Sequence, residues 1–354
     1  MKFLQNAWYC AGWDYQLSQG RDAMLARKIA GKRILVYRKL GGQVVAMEDQ
    51  CPHRQAALSL GRREGDAIRC MYHGLKFEAD GQCSEIPNVE KVPEQICVRT
   101  YPVVEKDNWI WVWLGDPSKA DPALICDAVG PGNTEYTTRP SYIQIDANYL
   151  LENANLADLS HSSFTHDNTI AMGWAQALAK PEHKILPRGI KTDYWVRNVA
   201  LPKFVQHLFP PGFMCDANFD ITQTYPCNWI LHFRVFSAGT ATEGESNGQL
   251  VLDSYSCQAV TPRDEGSVDY YYSWGVSKQT EQPGLADTLK EGLDQAFTED
   301  KAMLEGQQVR LRENPDFKQM GIGPADAGPA KMLRVINELI EAEEREASQQ
   351  AANA

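Results

Sequence analysis

The sequence predicts an α+β protein in two main parts: a β-rich N-terminal domain, then an α+β domain with an antiparallel sheet and helices. Three observations point there. Short runs of β-forming residues broken by turn signals fill roughly the first 117 positions. A Pro- and Gly-rich stretch follows, through Pro122 and Gly130-Pro131-Gly132. Beyond it, β-rich alternation gives way to two long, charged, periodic segments. A chain of 354 residues also exceeds what one core usually organises, about 250 to 300 residues. The expected division is 1–117, 118–345 and a tail at 346–354.

The elements follow in order. Arg33-Ile34-Leu35-Val36-Tyr37 and Val44-Val45-Ala46-Met47 flank Gly41-Gly42 and read as a hairpin. The run from Asn108 to Leu114 carries Trp109, Ile110, Trp111, Val112 and Trp113, short and β-forming, so it reads as a buried strand ended by Gly115-Asp116-Pro117. From Asp146 to His166 the pattern turns helical, with Leu150, Leu151, Asn155, Asp158 and Leu159 near helical spacing and no interior Pro or Gly. Strands are expected at Asn228–Phe236, Leu250–Val260 and Val268–Trp274, and helices at 284–312 and 329–347. The charged, then Ala/Gln-rich end from Glu341 to Ala354 reads as fraying. There is no internal repeat.

Composition narrows the function. A formal charge of −11 and a pI near 5.2 argue against a nucleic-acid partner, which needs clustered Lys and Arg. No apolar run approaches the ~18 residues of a membrane span, and Met1 to Asn6 lacks a signal-peptide core, so a cytoplasmic location without membrane contact is expected. Nine cysteines are scattered without the dense spacing of a secreted disulfide scaffold, so a metal site explains some of them better.

Cys51-Pro52-His53 and Cys70-Met71-Tyr72-His73 form two pairs separated by sixteen residues, each with one thiolate and one imidazole. Two such loops can hold a 2Fe-2S cluster with histidine substitution, which raises its potential. The chemical rival is zinc, but zinc-finger spacing groups Cys with Cys and His with His. Cys10, Cys83, Cys97, Cys126, Cys215, Cys227 and Cys257 have no such partners and read as packed thiols. Downstream, Asp158-x-x-His161 with His166 places an acid and two imidazoles near a helix end. Two histidines and one carboxylate leave open positions on a ferrous ion for oxygen chemistry. No Gly-x-Gly-x-x-Gly run is present, so the chain should not bind a nicotinamide cofactor itself.

At these residues the chain resembles the Rieske non-haem iron oxygenases. Their cluster motif is matched by Cys51, His53, Cys70 and His73, with Arg54 and Gly74 following the two pairs. The resemblance implies that the cysteines bind one iron and the histidines the other. The family's second motif is matched by Asn155, Asp158, His161 and His166. It implies that His161 and His166 ligate a mononuclear Fe(II), that Asn155 sits beside it, and that Asp158 bridges toward a cluster histidine of a neighbouring subunit. The third ligand is expected on a late helix, at Asp300 in Phe297-Thr298-Glu299-Asp300-Lys301, with Glu299 as the alternative.

The likeness runs through the opening Asn6-Ala7-Trp8-Tyr9 and is nearest the vanillate and dicamba O-demethylase group. It implies a monooxygenase acting with dioxygen, a separate ferredoxin or reductase, and a small aromatic substrate such as a methoxylated acid, in a homotrimer. Ring hydroxylation and N-dealkylation use the same irons, and kinship does not choose between them. An electron carrier or a structural zinc protein are the readings from other classes. A carrier needs only about one domain of ~100 residues. His207, His232, Asn218, Trp174, Trp195, Trp229 and Trp274 are candidate pocket walls, although Trp in a β-rich run is more often core.

Overall fold

The computed structural model describes residues 2–18, 23–241 and 248–353. The chain divides into two units: Gln5–Ile125 with Thr261–Asp264, and Met1–Leu4 with Cys126–Val260 and Glu265–Ala354.

The first unit is built from small sheets. Lys32–Arg38 and Val44–Glu48 form the expected hairpin, with Leu35 opposite Met47, between strands Met24–Ile29 and Thr100–Tyr101. Trp109–Trp113 lies between Trp8–Trp13 and Val103–Lys106, and all five of its residues are buried. That pattern belongs to a strand covered on both faces. A third sheet, of Arg62–Glu64, Ala67–Arg69, Lys76–Phe77 and Cys83–Glu85, carries the second Cys/His loop on its central connection. Leu35, Tyr37, Met47, Leu58, Ile68 and Phe77 form the core against which Cys51 and Cys70 pack.

The second unit holds a seven-stranded sheet in the order Tyr136–Ile145, Ser267–Ser277, Leu250–Asp264, Asn228–Ser237, Met214–Thr224, Gly189–Ala200 and Glu182–Leu186. Among the described residues five α-helices accompany it: α1 (Tyr149–Ala157), α2 (Ser162–Thr165), α3 (Trp174–Ala177), α4 (Leu285–Glu313) and α5 (Ala327–Asn353). Helix α4 lies on the first two strands. Phe297 packs against the Tyr270 and Tyr272 rings at 4.8 and 4.6 Å, and Asp294 accepts from Ser141 and Tyr272, both at 2.7 Å. Its buried stripe runs Leu285, Leu289, Leu293, Phe297, Asp300, Leu304 and Gln308, the i, i+3, i+4 pattern of a core-facing helix. No helix among the described residues is long and apolar enough to cross a membrane.

Two expectations are corrected. The segment 146–166 is not one helix: α1 ends at Ala157, Asp158 is extended at φ −131° and ψ 93°, and a 3-10 turn Leu159–His161 precedes α2. Asp158 causes the break by capping the next turn, its Oδ1 accepting from the Ser160 N–H at 2.9 Å, because a short acidic side chain competes with the helical ladder. The end expected to fray at 346–354 is instead helical through Asn353, and Ala354 lies outside the described residues.

Candidate functional site

In the first unit the same short loop is built twice. Cys51 donates its N–H to Ala56 O at 2.8 Å and its carbonyl accepts from Gln55 N–H at 2.9 Å; Cys70 does the same with Leu75 and Gly74 at 2.8 and 3.0 Å. Each loop closes on a left-handed residue, Gln55 at φ 59° and Gly74 at φ 77°. At Gly74 a Cβ would stand 2.7 Å from Pro87 Cγ, so glycine is required twice over. Arg69, held by Glu64 and Glu85, donates to the Gly74 carbonyl at 2.7 Å and braces this loop.

The loops bury both thiols and leave both imidazoles at the surface. Burial, with Cys70 alongside, pushes the Cys51 thiol up to about 11. The His53 and His73 rings meet at 4.5 Å. The four donors therefore pair as thiol with thiol and imidazole with imidazole. They do not converge on one point as a tetrahedral zinc site would require: among the described residues only His161, His166 and Asp300 bring three donor atoms within 4.8 Å of one another. The residues fit a two-iron cluster better than a single ion.

In the second unit the break at Asp158 places the other set. Its backbone carbonyl accepts from His161 Nδ1 at 2.6 Å. His166, at the end of α2, gives its Nδ1–H to Glu299 Oε2 at 2.8 Å, and Thr169 Oγ1 donates to the same oxygen at 2.8 Å. Both rings thus spend Nδ1 on a fixed acceptor and turn Nε2, with its lone pair, toward Asp300. His161 Nε2 and His166 Nε2 stand 3.5 and 3.2 Å from Asp300 Oδ1, yet that buried oxygen has no aligned hydrogen bond. Three lone pairs aimed at one point with no proton between them fit a metal ion. Ferrous iron with open coordination positions suits this donor set.

Electrostatics agree. Burial opposes ionisation of Asp300, but the two imidazoles outweigh it and hold the carboxyl at about 2. On α1, Glu152 is fully buried with neither oxygen bonded; burial first, and then the Asp300 charge, raise it well above the usual carboxyl range.

A cavity of about 860 Å³, open mouth included, adjoins His161, His166 and Asp300. Phe219, Phe233 and Trp274 are among its walls, with Asn155, whose Nδ2 is buried and unbonded, at its edge. Trp274 is the one candidate wall residue of the sequence that reaches it. Trp229 instead donates to Asn153 Oδ1 in the core at 2.7 Å, and His232 pairs with Asp253 at 2.7 Å. Asn218 is bonded to Arg234, Trp195 packs on Phe236, and Trp174 and His207 are exposed. Ser256, Gln258 and Gln176 line the cavity and were not anticipated; their signal was a polar residue at a buried strand or helix position. Of the remaining thiols Cys97 is exposed and Cys126 half-buried, unlike the packed thiols expected, while the other five are buried.

Comparison with known proteins matches both halves. Residues 7–102 match the Rieske [2Fe-2S] domain, and residues 145–342 match the vanillate O-demethylase oxygenase C-terminal domain. The iron-sulfur subunit TsaM1 of the toluene-4-sulfonate monooxygenase system of Comamonas testosteroni is 33% identical over 351 residues, 96% of this chain and 98% of that one. The vanillate O-demethylase oxygenase subunit of a Pseudomonas species is 31% identical, covering 98% and 97%. The crystal structure of dicamba monooxygenase bound to dicamba superposes with a TM-score of 0.85 at 29% identity, covering 98% of this chain and 100% of that one. Alike from end to end in sequence to such oxygenase components, and in fold to one of them, this chain belongs to the Rieske non-haem iron oxygenases.

Proposed function

We propose that the chain removes a methyl group from a small aryl ether, using dioxygen and two electrons delivered by a separate ferredoxin or reductase. It is the oxygenase component of a multicomponent monooxygenase, so separate electron-transfer partners belong to its activity. The observation that carries the reading is the convergence of His161 Nε2, His166 Nε2 and Asp300 Oδ1 in a chain that also holds the Cys51/Cys70 and His53/His73 pairs. The overall change balances as aryl methyl ether, dioxygen, two electrons and two protons giving phenol, formaldehyde and water. When bound, the cluster supplies single electrons and the mononuclear iron supplies oxygen activation.

The chain's own residues do the rest. Cys51 and Cys70 hold one cluster iron and His53 and His73 the other. His161, His166 and Asp300 hold the second centre, with Asp300 rather than Glu299 as the carboxylate, because Glu299 faces the far nitrogen of His166. Glu299 and the Asp158 carbonyl fix the tautomers that leave Nε2 free. The apolar walls exclude water and hold the substrate's reacting carbon at the open side, which is a gain in proximity. Residues 1–117 then serve electron uptake and 118–345 oxygenation.

Electron transfer runs between subunits of a homotrimer, through Asp158. Two exposed apolar surfaces support this. Met71 and Tyr72 flank the surface histidines of the first unit, and in the second Phe317, Met320 and Ile322 share an open groove with Asn155, Asp158 and His161. Asp158 is half-buried there, with one oxygen bonded to Ser160 and no bond on the other. No disulfide joins any two of the nine cysteines, which fits a reducing cytoplasm.

Metal analysis with electron paramagnetic resonance tests the reading. Purified protein should hold three irons per chain and give a reduced-cluster signal of mixed His/Cys type. With a surrogate reductase it should release formaldehyde from methoxylated aromatics. Zinc in place of iron, or cluster iron without the third, would overturn it; a diol product would redirect it to ring attack.

A further inference from the structure

The charge lining the cavity is more informative than its size. Beyond the three residues of the metal set, every residue lining it is uncharged: the walls are aliphatic and aromatic, and the polar members are Asn155, Ser162, Gln176, Ser256 and Gln258. No Lys or Arg reaches it among the described residues. The cations on neighbouring elements are committed elsewhere. On Asn228–Ser237, Leu231 and Phe233 face the cavity while alternation turns His232 to Asp253 and Arg234 to Asn218. On the lip, Lys203 lies between two wall residues, Pro202 and Phe204, yet is exposed and donates to Asp167 at 3.0 Å and Asn168 at 3.2 Å.

The polar groups that do face inward are neutral donors. On the strand Leu250–Asp264, Leu252, Ser256 and Gln258 point to the cavity at even spacing. Gln258 Oε1 accepts from Tyr270 Oη at 2.7 Å and its Nε2 donates to Ser256 Oγ at 2.9 Å. That leaves one amide N–H on Gln258 and the hydroxyl proton of Ser256 without an acceptor in the protein. Both residues are under a tenth exposed, at 7% and 1%, so a ligand entering the cavity meets two donors that no protein acceptor occupies. Away from the metal set, a carboxylate or sulfonate would lie among apolar walls with no Lys or Arg to pair with, and burying an unpaired anion is far costlier than burying an ether, ester or amide.

We infer that the substrate is uncharged: an apolar aromatic ether whose one further oxygen, of an ester, amide or ketone, accepts hydrogen bonds from Ser256 and Gln258. This rests on the oxygenase reading and narrows its substrate class from aromatic ethers in general to those without an ionised group.

The test uses holoenzyme already shown to contain both iron centres, with 4-methoxybenzoate, its methyl ester and 4-methoxytoluene as probes. Binding is read by calorimetry under anaerobic conditions, and turnover by formaldehyde. The ester should bind at least 100-fold more tightly than the acid at pH 7, about 2.7 kcal/mol. The acid should gain about tenfold per unit as pH falls toward its own pKa, because only the neutral form enters. Gln258→Leu should weaken the ester about tenfold relative to 4-methoxytoluene, a selective loss that a folding defect would not give. Acid binding as tight as ester binding and flat between pH 6 and 8, or an ester that does not bind at millimolar concentration, overturns the inference. Protein without the irons would instead sink the oxygenase reading.

Discussion

Replacing Glu299 separates holding a ligand from being one. Its Oε2 accepts two bonds, from His166 Nδ1 and Thr169 Oγ1, both at 2.8 Å, and it takes no direct part in the convergence of His161, His166 and Asp300. In Glu299→Ala, His166 Nδ1 loses its acceptor, Thr169 Oγ1 keeps only the His166 carbonyl at 3.3 Å, and His166 is freed to adopt the other tautomer, which would place a proton on Nε2. Loss of such an outer partner typically costs 10- to 100-fold in metal affinity, or about 1.4 to 2.7 kcal/mol. Glu299→Gln keeps an amide oxygen where both donors can reach it and loses only the charge, so its cost should fall below tenfold. The assay is competition for Fe(II) against a calibrated chelator, with the cluster signal as an internal control that should not move. Equal affinity in wild type and both variants would refute the positioning role. Loss of affinity as complete as in Asp300→Ala would show that Glu299 is itself the ligand.

Asp158→Asn should keep all three irons and slow steady-state turnover sharply if the proposed relay runs through it, since it belongs to neither ligand set; full turnover would remove the relay. Gly292→Ala should raise KM with iron content unchanged, because the added methyl would meet the Phe204 ring at 2.3 to 2.8 Å on the cavity wall. The usual helix gain from Gly to Ala, about 1 kcal/mol, should be absent from its Tm. Asp294→Asn should cost about 1 to 2 kcal/mol at neutral pH through bonds to Ser141, Tyr272 and Lys290. Burial opposes ionisation of Asp294, but those donors outweigh it and depress the carboxyl in the fold. Its contribution is therefore present above the unfolded value, about 3.9, and lost as pH falls through the folded one. Melting curves should converge for the two proteins in acid, and a gap that persists there would reject the assignment.

The parts of the site legible in the sequence are those whose chemistry is local. A thiolate and an imidazole within four positions, twice, can be read without knowing the fold, because each loop of the first unit presents its own pair. The hairpin at 33–47 and the strand Trp109–Trp113 were legible for the same reason, since turn chemistry and burial act over a few residues. The break at Asp158 was not, because the helical pattern of 146–166 continues through it. A side-chain cap on Ser160 wins over that pattern, and it is this local defeat of the helix that turns the Asp158 carbonyl toward His161.

Asp300 and the cavity mark the boundary between the two kinds of information. Position 300 is the one charged residue in the buried stripe of α4, while the Glu299 side chain lies one step round the helix, a distinction that burial makes and the sequence left open. A carboxylate forced to a core-facing position needs a partner, and two imidazoles more than 130 positions earlier supply it. What no spacing could give is which imidazoles, since that depends on the strand order bringing α4 across Tyr136–Ile145 and Ser267–Ser277. The same holds for the cavity walls. Their tryptophans failed as markers because Trp229 shares the cavity-facing side of its strand with Leu231 and Phe233 but stands further along it, where its indole N–H reaches Asn153 in the core, so position along the strand decides rather than residue type. Ser256 and Gln258 mark the chamber better: buried polar groups persist in a sheet only where something satisfies them, and here the remaining donors await a ligand.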